Sequence, residues 1–329
     1  MKVLFIGGTG IISSGCAPLA VEKGIDLYLL NRGQTTRPVP KGAHVLKGDI
    51  RDINSAKKAL GDMKFDVVVN WVAYSPEHIE TDLKLFKGRT SQYIFISSAS
   101  AYQTPPVRLP VTESTPLYNP YWDYSQGKID CEDRLMKAYR EENFPITIVR
   151  PSHTYDWTAL PFEGGFTVVD RMRKGKKVIV HGDGSSLWVL THHKDFAKGF
   201  VGLLGNSHAI GEAFTITSDE LLTWNQIFEI TAGAAGSEAQ IIHIPSDVIA
   251  KFNPSWGAGL LGDKTHSMIF DNSKIKSIVL DFSATIPYSL GVKEIIAWYD
   301  ADPSRQVVDK NFDKQMDEII TTFESAMPR

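Results

Sequence analysis

The 329-residue chain has only two cysteines, Cys16 and Cys131. Two thiols cannot build the disulfide framework of a small secreted domain, and they supply no Cys pair for a structural zinc site. Charge of one sign is also missing. There are 35 basic and 38 acidic side chains, a formal −3, so no broad basic field draws a nucleic-acid backbone. No apolar run approaches the roughly 20 residues that span a bilayer. The start, Met1-Lys2-Val3-Leu4-Phe5-Ile6, runs straight into glycines. It lacks the longer apolar region and small-residue cleavage site of a secretory signal, and the expected location is the cytoplasm. Internal repeats and low-complexity linkers are absent as well. What remains is an ordinary globular composition, 43% hydrophobic. Such a chain builds a core without metal or disulfide staples and is long enough for about two domains of roughly 150 residues.

Short apolar runs at 3–6, 27–30, 67–69, 93–96 and 147–149 alternate with segments of helical period at 12–23, 53–60, 77–86 and 123–141. Runs rich in Val, Ile, Leu and aromatics, bounded by polar residues, read as buried strands. Strand and helix in alternation predict a parallel sheet covered on both faces, an α/β doubly wound architecture of Rossmann type. After about residue 157 the rhythm changes to shorter mixed elements, with strands near 177–180, 213–217 and 240–244 and helices near 194–204, 224–232 and 309–323. The expected division is a dinucleotide-binding domain over 1–157 and a smaller α+β substrate domain over 158–329, with parts of 176–220 packing back on the first.

Gly7-Gly8-Thr9-Gly10-Ile11-Ile12-Ser13 follows the first strand and opens a helix. In that context Gly7 allows a tight turn and Gly10 a close backbone approach to a pyrophosphate. The amides near Ile11 and Ile12, with Thr9 beside them, then offer donors at a helix N-terminus. Ser13 stands at the third glycine position, where it either loosens the packing or bonds locally. The second strand ends Asn31-Arg32-Gly33. Asn31 removes the carboxylate that would repel a 2′-phosphate and Arg32 offers a guanidinium to one, so the cofactor is NADP or NAD with a lean to NADP. Gly48-Asp49-Ile50 places Asp49 and Ile50 at the adenine.

Tyr124 and Lys128 stand at i and i+4 and share a helix face. A phenol titrates near 10 and is a poor base at neutral pH, and an adjacent ammonium favours its ionised form. Upstream, the fifth strand ends Ser97-Ser98-Ala99-Ser100, where a hydroxyl can bond the substrate oxygen. Tyr124 is the expected acid/base, Ser98 the polarising hydroxyl and Lys128 the electrostatic aid and ribose holder.

In this order the landmarks resemble those of the extended short-chain dehydrogenases, which include nucleotide-sugar epimerases and dehydratases. The likeness runs on through Glu113-Ser114-Thr115-Pro116, Arg150-Pro151-Ser152-His153-Thr154-Tyr155, Gly182-Asp183-Gly184 and His192-His193-Lys194-Asp195 to Asp271-Asn272-Ser273-Lys274. It implies hydride transfer at a hydroxyl or carbonyl carbon of a sugar or nucleotide-sugar, or reduction of another carbonyl substrate. It also implies Ser98 as the catalytic serine, Pro151 and His153 along the nicotinamide, and Val72 and Ala73, in Asn70-Trp71-Val72-Ala73, beside the cofactor. A homodimer of paired helices is common in the family.

One departure concerns substrate. Trp188 stands where nucleotide-sugar enzymes place an arginine for the diphosphate, and an indole cannot replace a guanidinium fork. Trp71, Trp122 and Trp157 also flank landmarks. Trp71, Trp157 and Trp188 are therefore expected substrate-wall residues, with Arg171 or Arg173 as the candidate phosphate contact. Chloroplast stem-loop RNA-binding proteins also resemble this chain and carry Asn-Arg-Gly after the second strand. The intact Tyr/Lys/Ser set and the −3 charge favour an enzyme over RNA binding. His153, His181, His192 and His193 show no zinc spacing, and no metal site is expected. His192 reads as a structural residue paired with Asp195.

Overall fold

Alternate residues of the first strand, β1 (Lys2–Ile6), face different cores: Val3 and Phe5 enter one, Leu4 and Ile6 another. Burial on both faces is what a parallel sheet between two helical layers requires. The computed structural model, which describes residues 1–327, contains such a sheet. From β1 the chain continues through α1 (Ser13–Glu22), β2 (Asp26–Asn31), β3 (His44–Lys47), α2 (Ile53–Leu60), β4 (Phe65–Asn70), α3 (Pro76–Phe86), β5 (Thr90–Ile96), α4 (Asp123–Glu142) and β6 (Ile146–Pro151). It then forms β7 (His153–Tyr155), α5 (Phe166–Arg173), β8 (Lys177–His181), β9 (Leu187–Trp188), β10 (Leu190–His192), α6 (His193–Val201) and β11 (Ala213–Ile216). The remainder holds β12 (Leu222–Thr223), α7 (Trp224–Ala234), β13 (Gln240–Ile244), α8 (Ser246–Phe252), α9 (Pro254–Gly259), a π-helical turn (Leu260–Lys264), α10 (Ser273–Ile278), α11 (Tyr288–Asp300) and α12 (Lys310–Ser325).

Seven strands pair in the order β11-β6-β5-β4-β1-β2-β3, all parallel. Helices α1 and α6 cover the face of Val3 and Phe5, and α2, α3 and α4 cover the other. This is a doubly wound Rossmann-type fold. Strand order reverses between β1 and β4, and ligands of such sheets lie in the crevice at that point, outside the carboxyl ends of the strands. Register brings those ends level: Ile6 lies opposite both Leu30 and Asn70, and Asn70 opposite Phe95. The loops after β1, β2, β4 and β5 therefore open on one edge.

The second half of the chain supplies α6 and the edge strand β11 to the first lobe. Its other elements form a smaller α+β lobe with its own core, where β8 pairs with β13 and helices α5, α7, α11 and α12 close around them. Local signals fix several helix ends. Thr223 and Gln226 form a capping box at α7, and Asp309 accepts from the Asn311 and Phe312 amides at α12. No helix among the described residues is long and apolar enough to cross a membrane.

Candidate active site

The turn after β1 begins with Gly7 at φ +95°, a conformation L side chains avoid, and a Cβ there would meet Val72 Cγ1 at 3.1 Å. Glycine thus lets the turn lie against the end of β4. The Ser13 hydroxyl accepts the Gly10 N–H at 2.8 Å, so the serine in the third glycine position bonds locally. The first amide to reach back into the helix is Ser14, to the Gly10 carbonyl. The Ile11 and Ile12 amides lie upstream of it, at the N-terminus of α1, where unsatisfied donors and the helix dipole favour an anion.

Gly7, Thr9, Asn31, Arg32, Asp49, Ile50 and Val72 line one cavity of about 270 Å³. Gly10 and Ile11 are exposed beside the turn. Asn31 turns its Oδ1 back to accept the Gly33 N–H at 3.0 Å. Arg32 is exposed and also lines an adjoining groove with Lys47 and Lys58. Sequence reasoning missed Arg51, which lines the same cavity and donates to the Val72 carbonyl. Nothing in a lone arginine after a Gly-Asp turn marks it. Glycine turn, helix amides and cationic groove together fit a dinucleotide phosphate.

A second cavity, of about 230 Å³, opens at the ends of β5 and β6 and holds Ser98, Trp122, Tyr124, His153, Asp263 and Lys264, with Ile12 and Pro151 in its wall. The Ser98 hydroxyl shares a hydrogen bond with Ser100 Oγ at 2.9 Å, and Ser125 donates to Ser100 at 2.7 Å. Lys128 is buried and donates to the carbonyls of Ala73 (2.8 Å) and Ile96 (2.7 Å). Ala73 itself is fully buried and faces the sheet core, so it acts through its carbonyl and not as a cofactor contact.

The expected electrostatics are corrected here. Tyr124 leaves 37% of its surface open, yet the protein packed round its hydroxyl pushes the phenol up from its ordinary value. Tyr74 adds to the rise and a hydrogen bond with Ser98 opposes it. Lys128 does not bring it down, because burial leaves the lysine uncharged well below the range where the phenol titrates. Burial pushes Lys128 itself down to about 7. His153 is held down to about 3 by burial and by Lys264. Its Nδ1 accepts the Trp188 indole N–H at 3.2 Å, which leaves the proton of the neutral ring on Nε2.

Four further expectations fail on position. Arg171 is 1% exposed and tied to the Lys177 carbonyl, Asp313 and Asp317, and Arg173 is held by Asp300. Both serve the second lobe's frame. Trp188 is 2% exposed, behind His153 and against Trp224. Trp71 packs between Phe5 and Phe200 under the glycine turn, because the residue after β4 points to the α6 side. Trp157 lies beside Arg37 and His193 in a small cavity under the same turn. None of these lines the Tyr124 cavity. Trp122, Asp263 and Lys264 do, and only Trp122, two residues before Tyr124, had a sequence signal. Asp263 and Lys264 sit on the π-helical turn, a local form that hydrophobic period does not reveal. Gly262 holds that turn close, since a Cβ there would lie 2.7 Å from Trp122 Cβ.

His192 caps α6 by accepting the Lys194 N–H, and buried Asp195 accepts the Thr285 and Ile286 amides. Among the described residues His192, His193 and Glu294 bring ligand-capable atoms within 4.8 Å of one another, a grouping the sequence did not suggest. His192 is already bonded to Glu294, and His193 to Ser14.

The model of the NAD dependent epimerase/dehydratase family matches residues 3–217. The chain belongs to this family. Among curated relatives, the chloroplast stem-loop binding protein of 41 kDa b of Arabidopsis thaliana is 29% identical over 74% of this chain and 65% of its own length. A UDP-glucose 4-epimerase of Lactobacillus helveticus is 32% identical over 46% of this chain and 51% of its own. The chain thus matches less than two thirds of either. Solved structures overlap more fully. An epimerase of Methanothermobacter thermautotrophicus superposes with TM-score 0.76 at 16% identity, over 93% of this chain and 94% of that one. The UDP-glucose 4-epimerase of Bifidobacterium longum, solved with NAD+ and UDP, gives 0.74 at 20% identity over 93% and 100%. At such identities the likeness speaks for the fold. In this epimerase/dehydratase family member the glycine turn and the Ser98–Tyr124 cavity lie on one sheet edge.

Proposed function

We propose that the protein is an NAD(P)-linked enzyme that interconverts a secondary alcohol and its carbonyl in a sugar, as the redox half of an epimerisation or dehydration. The observation that carries this reading is the meeting of Ser98 and Tyr124 in one cavity beside the glycine turn. Bound at that turn, a nicotinamide coenzyme supplies reversible hydride exchange at the carbinol carbon. Tyr124 gives the carbonyl oxygen its proton and takes it back from the alcohol. Burial keeps its phenol protonated, which sets the free chain for the proton-giving half. Ser98, steadied through Ser100 and Ser125, donates to the same oxygen. Lys128 braces the strand ends against α4, and His153 offers an uncharged Nε2–H.

NADP is the coenzyme favoured here: β2 ends without a carboxylate, and Arg32, Lys47 and Lys58 outnumber Asp49 in one groove. The relatives named as UDP-glucose 4-epimerases support the sugar half of the reading. The chloroplast relative is named for stem-loop binding, but a net charge of −3 gives no support for strong binding to a phosphate backbone. A homodimer of paired helices belongs to the same reading, and native mass spectrometry tests it together with the co-purifying dinucleotide. The chemistry is tested by a sugar-alcohol screen with wild type and Tyr124→Phe. Turnover should fall by about 10²–10⁴ with coenzyme affinity kept. Equal turnover by both proteins overturns the assignment.

A further inference from the structure

Trp122 and Lys264 have a cavity on each side. On one side lies the Tyr124 cavity. On the other is a cavity of about 260 Å³ walled by Phe162, Trp224, Phe228 and Trp256. The two residues border both: the Trp122 ring lies 4.9 Å from that of Tyr124, and Lys264 Nζ 5.6 Å from the Trp122 ring. We propose that this outer cavity takes the part of the substrate that leads away from the reacting carbon, and that this part is an uncharged aromatic ring, not a nucleoside diphosphate. The inference rests on the reading that reaction occurs at Tyr124.

Charge decides against a diphosphate. Two phosphate charges need guanidinium forks or several ammonium groups. Among the described residues of the second lobe, Arg171, Arg173 and Arg305 are engaged by Asp313 and Asp317, by Asp300, and by Asp302 with the Trp298 carbonyl. None of them lines the outer cavity. Its one cation of fixed charge is Lys264, paired at 3.0 Å with Asp263, and Glu163 adds a negative charge to the wall. A dianion brought here loses its hydration and meets no net positive charge. Aromatic walls instead favour offset or edge-on contact with a ring.

The test is calorimetric titration of coenzyme-loaded protein with 2-naphthol, neutral near pH 7, and in parallel with UDP. Two variants accompany wild type. Trp256→Ala removes a wall. Gly259→Leu adds bulk at a lining position where an added Cβ has no atom within 4 Å. The expectation is that 2-naphthol binds at least about tenfold tighter than UDP, that Trp256→Ala weakens it about fivefold, and that Gly259→Leu abolishes it while coenzyme affinity and melting temperature hold. Tighter binding of UDP, no binding of 2-naphthol, or 2-naphthol binding indifferent to Gly259→Leu overturns the proposal. Coenzyme titration and Tyr124→Phe are scored separately. Loss of coenzyme binding, or turnover untouched by Tyr124→Phe, removes the catalytic reading without altering what the ring titration says of the cavity.

Discussion

The two lobes build their cavities from different materials. On the first lobe the cavity is made of turns: Gly7 and Thr9 of the glycine turn and the short loops after β2 and β3, all delivered to one edge by the parallel register. On the second it is made of side chains from separate helices, Trp224 and Phe228 of α7 and Trp256 of α9. Backbone chemistry serves any dinucleotide, whereas side-chain walls select one substrate. The lobes therefore differ in what a substitution should do, and Trp122 and Lys264 line both the outer cavity and the Tyr124 cavity.

The largest effect is expected where the first lobe buries a charge. Burial holds Lys128 near 7, against an ordinary value near 10.5. Between those two pH values the unfolded chain keeps the lysine proton and the folded chain has lost it, so stability rises with pH there. Below about 7 both forms are charged and the penalty is constant. Relative to Lys128→Met, wild type should gain about 1.4 kcal/mol per pH unit as pH climbs from about 7 toward 9.5. Urea unfolding at several pH values measures it. Parallel curves for the two proteins would show that Lys128 is solvated in the folded state.

The same contrast explains what was legible in the sequence. Strand periodicity, the glycine turn and Tyr124–Lys128 spacing are local patterns, and the doubly wound sheet follows from them. The second lobe's cavity is not local. Trp188 looked like a substrate residue because it follows the Gly182-Asp183-Gly184 landmark, and Arg171 because a phosphate contact was still to be found, yet their directions were set by partners far along the chain, His153, Asp313 and Asp317. Lys264 reached the site on a π-helical turn that no spacing rule marks. Even within the first lobe, Lys128 took the Ala73 and Ile96 carbonyls in preference to the phenol, a choice that depends on where β4 and β5 end.

A smaller effect should separate frame from wall in the second lobe. Arg171→Ala deletes a buried guanidinium but leaves Asp313 and Asp317 partly exposed, and Lys176 still pairs with both. Stability should drop by about 3 kcal/mol, the low end for breaking a buried pair, with KM for any turned-over substrate unchanged. A raised KM at constant melting temperature would return Arg171 to the substrate and undo the division of roles.

The smallest effect sharpens the first lobe's side of the comparison. If the dinucleotide cavity is mainly backbone, its one selective element is the charged groove of Arg32, Lys47 and Lys58. Arg32 is exposed, so its attraction for a 2′-phosphate is screened by water and salt. Lys47 and Lys58 remain when it is removed. Arg32→Ala should therefore weaken NADP by only about tenfold, or about 1.4 kcal/mol, and NAD hardly at all, measured by fluorescence titration of the reduced coenzymes at low salt. The gap should narrow as salt rises. Equal losses for both coenzymes would place Arg32 on the pyrophosphate or the adenine and not on the 2′ position. No loss for either would leave selection to Asn31, whose side chain is turned to the Gly33 amide and repels neither coenzyme.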